Sequence, residues 1–63
     1  EGLLIVSGLR DVETLSVCDA AGRIHFAGKV TDGEVHMALP QSGIYYMTWT
    51  TKAGERQTCS IKW

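Results

Sequence analysis

Two histidines, seven carboxylates and two cysteines are the groups of this 63-residue chain most apt for chemistry. A metal centre needs such ligands to converge, each roughly 2.0–2.3 Å from the ion. His25 and His36 both read as outward-facing residues of adjacent strands, which raises a two-histidine site. The Asp32-Gly33 dipeptide between those strands predicts a hairpin with a two-residue loop. That loop pairs Val30 with Val35, Gly28 with Met37 and Phe26 with Leu39, so inward residues meet inward residues. A three-residue loop mixes the faces. In the two-residue register His36 lies opposite Lys29 and His25 opposite Pro40, roughly 13 Å away at ~3.3 Å per residue. One ion cannot reach both. The expectation is two solvent-facing histidines and no metal.

The carboxylates Glu1, Asp11, Glu13, Asp19, Asp32, Glu34 and Glu55 are scattered. Asp32 and Asp19 belong to turns, and Glu55 follows the turn glycine Gly54. A general acid–base pair needs a cleft around it, and a sandwich this small has little volume for one. The glycines fall one per turn or bulge and never form a phosphate-cradling loop. The chain therefore reads as a non-enzyme without a cofactor. Cys18 and Cys59 lack the close spacing of zinc ligands. They leave open one disulfide closing most of the chain, or free thiols. Cys59 alternates with Ile61 and Trp63, whereas Cys18 alternates against Leu15 and Val17. That parity favours free thiols in different environments, at least one of them buried.

The elements that position these groups follow from turn spacing. Turn signals recur every eight to twelve residues, as in an all-β sandwich or barrel. The strands read as Leu3 to Val6, Thr14 to Asp19, Ile24 to Val30, Glu34 to Leu39, Ile44 to Thr50 and Arg56 to Trp63. Leu15 and Val17 point inward, as do Gln57, Cys59, Ile61 and Trp63. In the fifth strand Tyr45, Met47 and Trp49 share one face and Ile44, Tyr46 and Thr48 the other, so it is central or covered on both sides. Tyr45, Trp49 and Trp63 are core residues, and Tyr46 is the aromatic placed for an exposed contact. No window holds a helical period. The expected fold is a small Ig-like antiparallel β-sandwich of six or seven strands, forming one domain over residues 1–63.

Composition narrows the function classes. With 44% apolar residues and one proline, the chain is not a disordered tail. A net charge of −1 gives no field for nucleic acid or an anionic membrane. No apolar run approaches the roughly 20 residues of a membrane span. The residues contain no basic start followed by an apolar stretch, as a signal peptide would. The start at Glu1 rather than methionine suggests a domain cut from a larger protein.

Two motifs together carry a resemblance. Leu15-Ser16-Val17-Cys18-Asp19-Ala20-Ala21-Gly22-Arg23 resembles the V-x-V-Y-D-x-x-G-R strand and turn of C-terminal sorting domains from the type IX secretion system of Bacteroidetes. Leu39-Pro40-Gln41-Ser42-Gly43-Ile44-Tyr45 resembles that family's L-P-x-G-[VI]-Y turn and strand. The opening strand, the Asp32-Gly33 region and the final alternating strand fall where the family has strands, so the likeness covers nearly the whole chain. There are departures. Cys18 stands where the family usually has tyrosine, one extra residue precedes Gly43, and the chain closes on Trp63.

The resemblance implies a folded export signal at the end of a cargo protein. Its partners would be the outer-membrane type IX translocation machinery and a cell-surface sortase that usually joins the cargo to lipopolysaccharide. The domain would pass through the periplasm and end at the outer-membrane surface or be secreted. The residues that would carry recognition are Asp19, Gly22 and Arg23 at one turn, Pro40, Gly43 and Tyr45 at another, and Lys62 in the last strand. The competing reading is a non-catalytic Ig-like accessory domain that packs against an enzyme or binds carbohydrate. Open edge strands also allow two copies to pair.

Overall fold

The computed structural model describes residues 2–63. Six antiparallel strands run in chain order: β1 (Gly2–Val6), β2 (Val12–Asp19), β3 (Ile24–Lys29), β4 (Val35–Leu39), β5 (Ile44–Thr51) and β6 (Arg56–Lys62). The described residues contain no helix. The strands form two sheets, one of β1 and β4, the other in the order β3-β2-β5-β6. This is a small antiparallel β-sandwich, with β5 central in the larger sheet.

Alternation in the sequence becomes the two faces of each strand. In β4, Val35, Met37 and Leu39 are buried while His36 and Ala38 are exposed. Across the core they meet Leu15 and Val17 of β2, and Val17 and Leu39 are sealed from solvent. Burying one such side chain stabilises by roughly 1.5–3 kcal/mol relative to leaving it exposed. These few residues hold the two sheets together. The outer face of β5 is open, with Ile44 and Tyr46 both about two-fifths exposed (41% and 42%). The strand is central but covered on one side only.

The Asp32-Gly33 turn corrects the hairpin expectation. Its local geometry is that of a tight turn with both residues left-handed, φ 39° at Asp32 and 72° at Gly33. Yet β3 and β4 do not pair, so Val30 is not laddered to Val35, nor Gly28 to Met37, nor Phe26 to Leu39. β3 pairs with β2, and β4 pairs with β1, Val6 opposite Val35. The turn carries the chain from one sheet to the other. The reason is burial: a β3–β4 hairpin would keep Val35, Met37 and Leu39 in the same layer as Leu15 and Val17. Crossing over makes them the opposing layer. Backbone bonds from Val30 N–H to the Glu13 carbonyl and from Leu9 N–H to the Gly33 carbonyl, both 3.0 Å, fix the crossing.

The cysteines are free and half-buried. Register puts Cys59 opposite Met47, in the inner-face row that continues to Val17, and Cys18 opposite Tyr46, in the outer-face row that continues to Ser60. One bond cannot join side chains on opposite faces of one sheet. Free thiols on different faces are what parity favoured, but the expected burial of at least one is not met, since both are only half-buried.

Candidate functional site

The two motif-bearing turns come together at one end of the sandwich. The turn between β2 and β3 and the turn between β4 and β5 line one open cleft of about 370 Å³ that includes Asp19, Arg23, His25, Pro40, Gly43 and Tyr45. Of the candidate recognition residues, Gly22 lies inside the first turn, and Lys62 stands opposite Ile44 on the neighbouring strand. Residues far apart in the chain thus share one surface.

Asp19 organises the first turn. Its Oδ1 accepts the backbone N–H groups of Ala21 (3.0 Å) and Arg23 (2.9 Å). Its Oδ2 accepts Arg23 Nε (3.2 Å) and His25 Nε2 (2.9 Å). The Asp19 backbone closes the same loop, donating to the Arg23 carbonyl and accepting from Gly22 N–H, each at 2.9 Å. Gly22 holds φ 88°, where a Cβ is strained. The bond from His25, then that from the Arg23 N–H, holds the Asp19 carboxyl down at about 2 against the opposing effect of burial; the Arg23 charge and the Ala21 N–H add to the lowering. A carboxylate so occupied is a structural acceptor and a poor proton carrier at neutral pH. Among the described residues only Asp19 pairs with the Arg23 guanidinium, through Nε, and 73% of the Arg23 side chain is exposed.

His25 corrects the outward reading. Its side chain is 16% exposed and bonded to Asp19, and its ring stands edge-on to Tyr45 with centroids 5.3 Å apart. A β-bulge explains the change of face. Val17 is opposite Phe26 and Cys18 opposite Ile24, so His25 is the extra residue, and a bulge re-aims the side chain it inserts. Alternation alone cannot detect that shift. His36 does face outward, half-exposed, 2.7 Å from Glu34 Oε1. The two histidines stand on different sheets with separate carboxylate partners.

Tyr45 fastens the second turn. It is buried, and its hydroxyl donates to the Gln41 carbonyl four residues back at 2.7 Å. This is the tyrosine-corner arrangement of antiparallel sandwiches, which ties an inter-sheet connection to the strand that follows. Gly43 at φ 145° lies where essentially only glycine goes. It also exchanges two backbone bonds with Trp63, 3.1 and 2.8 Å, so the end of the chain is zipped to the Pro40–Gly43 turn. The Gln41 carbonyl and the Trp63 backbone are partners that side-chain motifs do not reveal. Lys62, between these anchors, is exposed. No protein-family model, curated protein or solved structure matches the chain.

Proposed function

We propose that this domain is a folded C-terminal sorting signal, read by the type IX translocation machinery at the end where its two turns meet. The observation that carries the reading is the convergence of Asp19-Ala20-Ala21-Gly22-Arg23 with Pro40–Tyr45 beside the final strand. Residues with separate structural duties need not share a surface, but residues read together by one receptor must. Within that surface the duties divide. Asp19, Gly22, Gly43 and Tyr45 shape the turns, and Pro40 lies at the cleft wall. Arg23 and Lys62 are the exposed cations left to make contacts. Under this reading the domain carries cargo across the outer membrane to the surface or the medium, where a sortase acts on it. It is not itself a catalyst and needs no cofactor.

The test is export. Fused to the end of a periplasmic reporter in a host with the matching machinery, residues 1–63 should carry the reporter to the cell surface. Arg23→Ala and Lys62→Ala should lower export while the fold persists. A stable fusion that stays in the periplasm refutes the proposal.

One observation favours a second reading, an accessory domain that packs against another protein. Ile24 is 69% exposed and lies in one cross-strand row with Cys18, Tyr46 and Ser60 on the outer face of the larger sheet. Exposed apolar residues grouped in this way mark interaction surfaces. If that face is the functional one, Tyr46→Ser will abolish partner binding and Arg23→Ala will leave it unchanged.

A further inference from the structure

Net charge conceals how the charges are arranged. Strand register sets the outward residues of the larger sheet in cross-strand rows. One row is Lys29, Thr14, Thr50, Arg56, and the next is Ala27, Ser16, Thr48, Thr58. These rows hold hydroxyls and cations but no carboxylate, although acidic residues outnumber basic ones seven to six in the chain. The adjoining Glu13 and Glu55 belong to the bulge of β2 and the turn before β6. The ion pairs among the described residues join Asp19 to Arg23 and His25, and Glu34 to His36, so neither Lys29 nor Arg56 has a carboxylate partner there. The two rows hold an open hollow of about 310 Å³, floored by Thr14, Ser16, Thr48 and Thr50. Lys29 and Arg56 stand at its two ends, roughly 14 Å apart across three strand spacings of ~4.8 Å. Thr48 Oγ1 lies 3.1 Å from Thr58 Oγ1, and the other floor hydroxyls are open to solvent. Outward threonines are ordinary on a solvated strand, and charges on edge strands such as β3 and β6 discourage pairing. Neither duty requires a hollow, or charges of one sign at both its ends.

We propose that this hollow binds an acidic oligosaccharide, a chain of sugars with carboxylates on separate rings. Charge complementarity carries the choice. Lys29 and Arg56 each take one acid group, and their separation calls for groups on different sugars. Between them the threonine and serine hydroxyls both donate and accept, which matches the hydroxyls of a sugar ring. An acidic peptide fits less well, since a peptide joins a sheet by backbone pairing at an edge and not flat across a face. A single nucleic acid strand stacks its bases on aromatic rings, and no ring lines the hollow among the described residues. The inference is independent of the export reading. Asp19 and Tyr45 lie at the opposite ends of β2 and β5 from Thr14 and Thr50.

The test is titration of the isotope-labelled domain with tetragalacturonate, followed by amide chemical shifts. Saturable shifts at Thr14, Ser16, Thr48 and Thr50 should give a Kd on the order of 1 mM at low salt, weakening as salt is added. The Lys29→Gln/Arg56→Gln double variant should bind about tenfold more weakly. Both residues are exposed, so its melting temperature should hold. Tetraglutamate, an oligothymidylate of the same charge and a neutral tetrasaccharide should each bind about tenfold more weakly than tetragalacturonate. Equal binding of the peptide or the oligonucleotide overturns the proposal, because the face would then take any polyanion. Equal binding of the neutral sugar overturns it by removing the role of charge. No saturable shift at these amides up to about 10 mM, or a folded double variant that binds unchanged, also overturns it. The same variant should export a fused reporter normally, so the two readings fail separately.

Discussion

Asp19 accepts four hydrogen bonds with one side chain, which makes its charge the residue-scale control of the site. Its pKa falls from 3.8 to about 2 on folding. A depressed carboxylate pKa contributes stability that is fully present above the unfolded value. That contribution is lost as pH falls through the folded value. Asp19→Asn keeps an oxygen for the two backbone donors but sets an amide against Arg23 and His25. The variant should melt below the native domain at pH 7, and the gap should close as pH falls from 3.8 towards about 2. Thermal melts of both proteins across that window check it. A gap that does not depend on pH would assign the loss to turn geometry instead of charge. Tyr45→Phe removes the bond to the Gln41 carbonyl and little packing. It should cost about 1 kcal/mol by denaturant titration, and the Pro40–Gly43 turn should show faster backbone exchange.

At the scale of elements, Gly43 is the sharpest point of strain. No atom lies near the Cβ position, so space is not the obstacle to a side chain there. The obstacle is φ 145°, and Gly43→Ala should destabilise by about 1–3 kcal/mol. Loss of the backbone pairing with Trp63 should accompany it, visible as faster exchange of the Trp63 amide. All six strands were legible in the sequence because each is a short run of strand-forming residues, alternating or wholly apolar, bounded by a turn former. Their pairing was less so. Alternation fixes which residues face inward but not which strand lies beside which, so the faces of Val35, Met37 and Leu39 were right while their partner was wrong. The Asp32-Gly33 turn is geometrically the same whether the chain stays in one sheet or crosses to the other. Parity also fails silently at a bulge, which is why His25 read as outward. The candidate site was legible as two motifs. That they meet at one end follows from the pairing of β2 with β5, which sets Asp19 opposite Tyr45, and alternation does not encode which strands pair.

For the whole molecule the margin is small. A domain of this size has ~3–5 kcal/mol to lose, and its larger sheet ends in β6. Ile61 and Trp63 are partly buried against the core, and the two backbone bonds between Trp63 and Gly43 close the motif-bearing end. Removing a fully buried large apolar side chain costs ~2–5 kcal/mol, and each of these half-buried ones costs less. Together with the lost bonds, deletion of Ile61–Trp63 consumes most of that margin. The truncated domain should be largely unfolded at 37 °C by circular dichroism, and a fused cargo should no longer be exported. Lys62→Ala separates the two losses. Lys62 is exposed and opposite Ile44 on the outer face, so its removal should shift stability by no more than about 0.5 kcal/mol. Reduced export with an unchanged melting temperature then assigns Lys62 to recognition. Unchanged export assigns it to the solvated surface and leaves Arg23 as the contact to test. A truncated domain that melts like the full one would remove the end of β6 from the core and leave the two turns held together by the β2–β5 ladder alone, Asp19 opposite Tyr45.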